Sequence, residues 1–534
     1  MQHKKILIFI IDSGTKDNLL IFSKNVYEKA LWKGQLVPVS EGHTVTSAFA
    51  LLTGQLVYNE KFGYKMPIGD WVYRTNGDKF KQGNMELYSY EDIADKSIIG
   101  KSGLREVWFN IPELVPVPRI ENVVIVGGVP LAGYEYYTQP PKLQHEIESK
   151  GYIVDVKDNV RPSVEYLARM EEKRGEIFDY VLSKYGFDIA FCWFTALDRL
   201  HHNRVILKNP LDTTENRKVI METIDAQMFK IYEKYNPDYL VIMSDHGWND
   251  DLFYHWNNGF YAVYDGHNHE SQETKASILD IIPTVYKLAG VKYNKFMGLP
   301  VQERVEKHHN FILSHLNEKY DKSFEIIKNT FKNFPHDQIA VALSGGKDSA
   351  AVAYMAYLVD KNAKMIFIDT TAHFHETYDY VNKLRIGYNM KIYFSPPPEE
   401  IVDFAVNKEK CCMVNKVKNL ERTLKMLNIK VLLTGIRKTD GGTRENEEVS
   451  RVRKTSDGYD YLQVNPILEW TYDDVMDFLL SEGVPINPLY YNGYRSIDCY
   501  PCTLNIFQTG DARHERSGRV KDNILGRLRS MGYF

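Results

Sequence analysis

Cysteine is scarce in this chain, with five residues in 534, which excludes the dense disulfide framework of a small secreted domain. Long apolar runs are missing as well, so the sequence offers no bilayer-spanning helix and no membrane partner. Neither sign of charge is in surplus: 66 Lys and Arg stand against 70 Asp and Glu, a net charge of -4. That balance does not indicate a nucleic-acid-binding surface overall. What is there is globular in kind, 44% hydrophobic and 25% charged. The length exceeds a single ordinary core, so more than one domain is expected. The opening Met1-Gln-His-Lys-Lys-Ile-Leu-Ile-Phe-Ile-Ile runs straight into Asp12 without a small-residue cleavage site. It reads as a buried first strand rather than a leader, and the expected location is cytoplasmic.

The stretch Val341-Ala-Leu-Ser-Gly-Gly-Lys-Asp-Ser-Ala350 is an apolar strand running into a glycine turn. Adjacent glycines let a backbone approach a polyphosphate closely, and the following helix adds its positive end. A Walker A loop is excluded, because Val341 stands where that pattern needs a glycine. The Ser-Gly-Gly-Lys-Asp-Ser form resembles the PP-loop of adenine nucleotide alpha-hydrolase-like enzymes. The resemblance implies work at the first phosphate of ATP or of an adenylyl anhydride.

Residues 1–302 contain three apolar runs that end in carboxylates: Lys5 to Asp12, Ile189 to Asp198, and Tyr239 to Asp245-His246-Gly247. Parallel strands open on a crevice at their carboxyl ends, and three aspartates gathered there call for a cation. Asp198 and His202 are one helical turn apart, so both can face one ion, whereas His201 points to another face. His255 follows in a loop rich in Trp and Asn.

The Asp198-x-x-x-His202 pair, Ser244-Asp-His-Gly247 and the Ser47-Ala-Phe-Ala-Leu-Leu-Thr-Gly54 segment resemble the type I phosphodiesterase/nucleotide pyrophosphatase branch of the alkaline phosphatase superfamily. Phe109-Asn-Ile-Pro112, Val126-Gly-Gly-Val-Pro130 and Ile278-Leu-Asp-Ile-Ile-Pro-Thr284 extend the resemblance. It implies Thr44 as nucleophile, with Thr46 and Ser47 less favoured. It also implies two divalent ions, one on Asp12, Thr44, Asp245 and His246, the other on Asp198, His202 and His255. Zinc suits this mixture best, with manganese second.

Residues 303–333 are charged, helically periodic and free of glycine, which predicts a helical connector. From residue 334 the repeated strand–helix pattern predicts a doubly wound sheet with its ligand at the carboxyl edge. Lys364-Met-Ile-Phe-Ile-Asp369 is its second strand, and Lys430-Val-Leu-Leu-Thr-Gly435 leads into Arg437, Lys438 and Arg444, a basic trio suited to phosphate or sulfate. Cys411-Cys412 and Cys499-Tyr-Pro-Cys502 supply four thiols without a neighbouring histidine. A vicinal pair is awkward for tetrahedral zinc and easier for a wider cubane, so a 4Fe–4S cluster is favoured over zinc.

These motifs, with Ile368 to Thr377, Trp470 to Val475, Gly493 to Thr503 and Glu515 to Arg519, resemble the phosphoadenylyl/adenylyl sulfate reductase family, nearest its iron–sulfur branch. The implied nucleotide-binding set is Ser344, Gly345, Gly346, Lys347, Asp348, Ser349, Asp369, Gly435, Arg437, Lys438 and Arg444, with Lys347 also catalytic and Lys416 beside the cluster. The family attacks sulfate with a cysteine in a Lys-x-Glu-Cys-Gly element near its carboxyl end. The corresponding stretch here, Asn523 to Phe534, has none, and Asn415 and Asn419 replace the usual arginine and proline.

The expectation is thus an α/β protein of two doubly wound domains. An alkaline-phosphatase-like domain is followed by an adenine nucleotide alpha-hydrolase-like (PP-loop) domain at 334–534. The first hydrolyses a phosphodiester or pyrophosphate; the second binds ATP or adenylyl sulfate beside a 4Fe–4S cluster for sulfur activation or transfer. A sulfonucleotide reductase drawing its thiol from a partner is the alternative, and a nucleotide-binding redox sensor the third reading. A thiol donor or a sulfur acceptor is the expected partner, nucleic acid remaining open as acceptor.

Overall fold

The computed structural model describes residues 4–38, 44–56, 74–75, 85–86, 90–112, 114–128, 136–154, 162–207, 211–252, 254–271, 273–293, 295–303, 316–400, 402–440, 442–491 and 494–503. Pro130, Gly493, Glu515 to Arg519 and Asn523 to Phe534 lie outside them. The chain divides into two compact units: the first holds the described residues up to 303 together with Ser481–Gly483, the second those from 316 to 480 and from 484 on.

The first unit is built on a nine-stranded sheet. Ile6–Ile11 sits inside it, parallel to Ile189–Phe194 on one side and to Tyr239–Met243 on the other. All six residues of Ile6–Ile11 have no exposed surface, because both faces of a parallel sheet are covered and only an apolar run tolerates that. The register sets Ile11 against Phe194 and Ile10 against Met243. Asp12, Thr195 and Asp245 therefore leave the sheet at one level.

Two helices of 22 residues, Val164–Tyr185 and Thr214–Tyr235, pack together on this sheet's core. Each opens on a capping hydroxyl, Ser163 and Thr213, that accepts a backbone N–H three residues on. They close on Gly186 and on the left-handed Asn236. The first helix also carries Glu171 and Arg174, an ion pair with no solvent exposure and an N···O distance of 2.5 Å. Glu171 Oε1 accepts the Thr195 and Ala196 N–H groups at 2.8 and 2.6 Å. It thereby fixes the start of helix Ala196–Leu207, which carries Asp198 and His202.

The second unit has a six-stranded sheet: Lys391–Phe394, Lys364–Phe367, Ile339–Ala342, Val431–Leu433 and Asp460–Val464 run parallel, and Ser450–Lys454 is an antiparallel edge. Ile339–Ala342, the strand feeding the glycine turn, lies between its second and fourth strands. Helix Asn317–Asn333, in the stretch expected as a connector, is bound into this unit. Its Ser323 Oγ donates to the Pro466 carbonyl and accepts from the buried Trp470 Nε1. Both units are thus mixed α/β sheets. Among the described residues no helix is long and apolar enough to cross a membrane.

Removing one partner of a fully buried ion pair strands the other charge. Glu171→Ala is expected to cost about 3–5 kcal/mol in urea unfolding of the first unit. A loss below about 1 kcal/mol would show that Arg174 finds another partner.

Candidate functional sites

At the carboxyl edge of the first sheet the three aspartates converge with three histidines. Ligand atoms of Asp12, Asp245 and His246 lie within 4.8 Å of one another, and so do those of Asp198, His202 and His255. His246 Nε2 is 3.3 Å from Asp12 Oδ1 and 3.2 Å from Asp245 Oδ2. Thr44, at the start of helix Thr44–Thr53, places its Oγ1 3.3 Å from Asp12 Oδ1 and 3.0 Å from His246 Nε2. In the other trio His255 Nε2 is 3.0 Å from Asp198 Oδ1 and 2.9 Å from His202 Nε2, which is 3.4 Å from Asp198 Oδ2. His255 reaches this point from the short strand Tyr254–Trp256, paired with Gly247–Asn249. The His246 and His255 rings stack with centroids 4.0 Å apart, so the two trios adjoin.

Electrostatics separates these groups strongly. Burial, followed by repulsion from Asp198, raises the Asp12 carboxyl; burial and then Asp12 push Asp245 well up. Burial also opposes charge on Asp198, but the His202 and His255 imidazoles override it and hold that carboxyl well below the usual range. Burial pulls His246 down, yet the surrounding carboxylates of Asp245, Asp12 and Asp198 hold it at about 10. Burial and the charge on His246 take His255 down to about 3. Asp245 Oδ2 is buried and receives no hydrogen bond among the described residues. Mixed carboxylate and imidazole donors, with a buried Asp245 oxygen that faces His246 yet accepts no hydrogen bond among the described residues, fit a pair of divalent cations.

His201 faces away from both trios. Its Nδ1 lies 3.1 Å from Asp212, its ring stacks on Trp248 at 4.7 Å, and Arg217 clamps both Asp212 and Asp250. Sequence spacing separated His201 from His202. It did not reveal Glu171, Arg174 or Ser13: the first two pair locally, three residues apart, but their bonds to Thr195, Ala196 and Val154, like those of Ser13, are long-range. Ser13 carried one signal, its place directly after a strand-end aspartate.

In the second unit the glycine turn works through backbone geometry. Gly345 has φ +79°, and a Cβ there would lie 2.6 Å from Thr377. A Cβ on Gly435 would meet the Asp348 backbone at 2.6 Å, so only glycine lets that loop approach the start of helix Lys347–Val359. Ser349 Oγ accepts the Ser344 N–H at 3.1 Å and donates to the Gly346 carbonyl at 2.9 Å, closing the turn. Tyr490 Oη accepts the Lys347 N–H at 3.0 Å.

A cavity of about 580 Å³ lies over this turn, lined by Ser344, Gly346, Lys347, Asp348, Ser349 and Gly435 among others. Its ionic wall holds Lys347, Lys416, Arg437, Arg444 and Arg495 against Asp348, Asp440 and Asp498, a surplus of positive charge suited to a polyanion. Lys347 Nζ is 2.7 Å from Asp348, Arg437 bridges Asp348 and Asp440 at 2.7 and 2.6 Å, and Arg444 also donates to Asp440. Two residues expected in this set stand apart from the wall. Lys438 is drawn 2.6 Å from Glu469, and Asp369 accepts from Tyr378 Oη and the Thr371 N–H. Gly345 shapes the turn without lining the cavity.

The cavity extends to Lys416 and Asp498, which are paired, and these two act on the cysteine thiols. Burial pushes Cys412 up to about 11, with Lys416 opposing and Asp498, Cys411 and Cys499 adding to the rise. Burial likewise raises Cys499 and Cys502, Cys502 adding to the first rise and Cys411 to the second. The four thiols therefore feel one another's charge. Thr370 Oγ1 is 3.3 Å from Cys499 Sγ, and Asn415 Nδ2 donates to Cys411 Sγ at 3.4 Å. Asn419 turns away to Ser395 Oγ. Helix Lys408–Cys412 widens directly into the π-helical turn Met413–Lys418, a distortion frequent at functional sites. Burial raises three of these thiols, which suits a cationic metal centre that stabilises thiolates, but among the described residues the groups whose ligand atoms lie within 4.8 Å of one another are the two aspartate–histidine trios and not the cysteines. Cys192, in contrast, has no exposed surface, and burial pushes its thiol well up.

Lys347 generates a pH prediction. Burial brings its ammonium down to about 8, against the attraction of Asp348. Its charged form dominates below that pH, so pyrophosphate affinity measured calorimetrically is expected to be flat up to about pH 8 and to fall above it by up to about tenfold per unit. Affinity flat to pH 10 would remove Lys347 from the anion site.

Comparison with known proteins follows this geometry. Residues 338–505 match the phosphoadenosine phosphosulfate reductase domain. The adenosine 5'-phosphosulfate reductase of Bacillus cereus (strain B4264) is 29% identical over 196 residues, 35% of this chain and 82% of the relative. That of Oceanobacillus iheyensis is 29% identical over 192 residues, 33% of this chain and 76% of the relative. The phosphate complex of phosphoadenylyl-sulfate reductase from Candida auris aligns with a TM-score of 0.30 and 24% identity, over 36% of this chain and 95% of that one. By the family match, residues 338–505 of this chain are similar to the phosphoadenosine phosphosulfate reductase domain.

Proposed function

We propose that the protein is a bifunctional nucleotide enzyme. Its second unit binds adenylyl sulfate beside a 4Fe–4S cluster and passes the sulfo group to a thiol supplied by a partner protein or small molecule. The observation that carries this reading is the continuity of one cavity from the glycine turn to the Lys416–Asp498 pair at the four thiols. The relatives' printed activity, adenosine 5'-phosphosulfate reduction, supports the substrate.

Lys347, Arg437, Arg444 and Arg495 would hold the phosphosulfate, their charges growing more valuable as the leaving AMP gains its own. The incoming thiolate attacks sulfur, the bond from sulfur to the bridging oxygen breaks, and AMP departs with that electron pair. The product is a thiosulfonate, R–S–SO₃⁻. A second thiol releases sulfite and leaves a disulfide, so two thiols are oxidised for each sulfur reduced. Cys411, Cys412, Cys499 and Cys502 would hold the cluster, which when bound places a polarising charge beside Lys416.

The first unit is read as a phosphodiesterase or nucleotide pyrophosphatase of alkaline-phosphatase-like fold. Asp12, Thr44, Asp245 and His246 would hold one divalent ion and Asp198, His202 and His255 the other; when bound, such ions supply Lewis acidity. Thr44 is the nucleophile; its Oγ1 lies against Asp12 Oδ1 and His246 Nε2, which would hold the ion, and the charge of that ion would favour loss of the hydroxyl proton. Attack on phosphorus expels an alcohol or nucleotide, and water then cleaves the phosphothreonine.

Anaerobically purified protein is expected to contain one 4Fe–4S cluster per chain and to release AMP and sulfite from adenylyl sulfate only with a thiol donor. Lys347→Ala should lower AMP release at least about 100-fold, and absence of AMP from the wild type would defeat the reading. Separately, Thr44→Ala should abolish hydrolysis of a chromogenic phosphodiester while the zinc held by Asp198, His202 and His255, which Thr44 does not touch, is retained. Undiminished hydrolysis would remove Thr44 from the nucleophile's role.

A further inference from the structure

Ser13 occupies an unusual position. It is fully buried, follows Asp12 directly, and has φ +60°. That left-handed region favours glycine and costs other residues of order 1–3 kcal/mol. A serine persists there only if its side chain returns something. Ser13 Oγ donates to Asp198 Oδ1 at 2.6 Å and lies 3.3 Å from His246 Nδ1, and its backbone N–H donates to Asp245 Oδ1 at 3.3 Å. One residue thus touches members of both trios: Asp198 from one, Asp245 and His246 from the other.

We propose that Ser13 is a positioning residue that holds Asp198 and His246 in mutual register, so that the two cation sites are built as one unit. The inference rests on the two-cation reading of the first unit. Glycine would satisfy the backbone at this position, so the hydroxyl is the feature that the left-handed conformation exists to place. Its bond to Asp198 leaves Oδ2 of that carboxylate, which lies beside His202, to turn toward an ion. Partners of this kind are typically worth 10–100-fold in metal affinity.

The test compares Ser13→Gly with Ser13→Ala in the full chain. Both lose the hydroxyl, but only alanine keeps the strained backbone, so the alanine variant is expected to melt at the lower temperature without metal, the reverse of the usual order for these residues. Zinc titrated against a chelator is expected to show two ions on the wild type. In both variants the weaker ion should be bound at least about 10-fold less tightly, and equally so, because the defect follows the hydroxyl and not stability. Zinc affinities unchanged from wild type, or falling in step with melting temperature so that alanine is the worse, would overturn the role of Ser13 alone. A wild type that binds no zinc or manganese would overturn the two-cation reading together with it.

Discussion

Carboxylates buried side by side repel one another and lose their hydration, and the first unit is arranged around that cost. Asp12, Asp198 and Asp245 all have 3% exposed surface or less at the edge of a single sheet. Packing alone gives no reason to gather them. The histidines offset part of the charge, and the opposing shifts of His246 and His255 show how incompletely. A pocket in which three acids and three imidazoles hold one another at such different proton affinities has the donor set that could hold multivalent cations. The buried Glu171–Arg174 pair anchors the start of the helix that brings Asp198 and His202 to it.

In the second unit the sign is reversed. Guanidinium and ammonium groups outnumber carboxylates around the cavity, and Asp348 and Asp440 are shared between them in a chain of short contacts. The shared carboxylates keep the cations aligned before any ligand arrives, which reduces the reorganisation that an incoming polyanion must drive. Lys347 feels the arrangement most, since it is buried under two tyrosine rings, 4.5 Å from that of Tyr472 and 6.0 Å from that of Tyr490.

Much of this was legible in the sequence, for definite reasons. The parallel strands announced themselves as continuous apolar runs, and their terminal aspartates followed because the carboxyl edge is where such sheets carry polar groups. Asp198 and His202 could be paired, and His201 set aside, from helical periodicity alone. The glycine turn was equally plain. Lys438 misled because charge type does not tell which neighbour a lysine meets, and Glu469 lies 31 residues away in sequence. Glu171 and Ser13 were invisible for a related reason. Their importance comes from partners 24 to 233 residues distant, and no local pattern encodes such contacts. The π-helical turn after Cys412 left no trace in composition either.

That widened turn has a geometric consequence. A residue added to a helix without lengthening it by a full step rotates everything on one side by roughly 100° relative to the other. Cys411 and Cys412 thus present a different azimuth from the one a regular helix would give them with respect to Leu420 and Leu424, the apolar anchors downstream. The irregularity acts as an aiming joint: it resets the direction of the sulfur atoms while Leu420 and Leu424 stay packed in the core of the second unit.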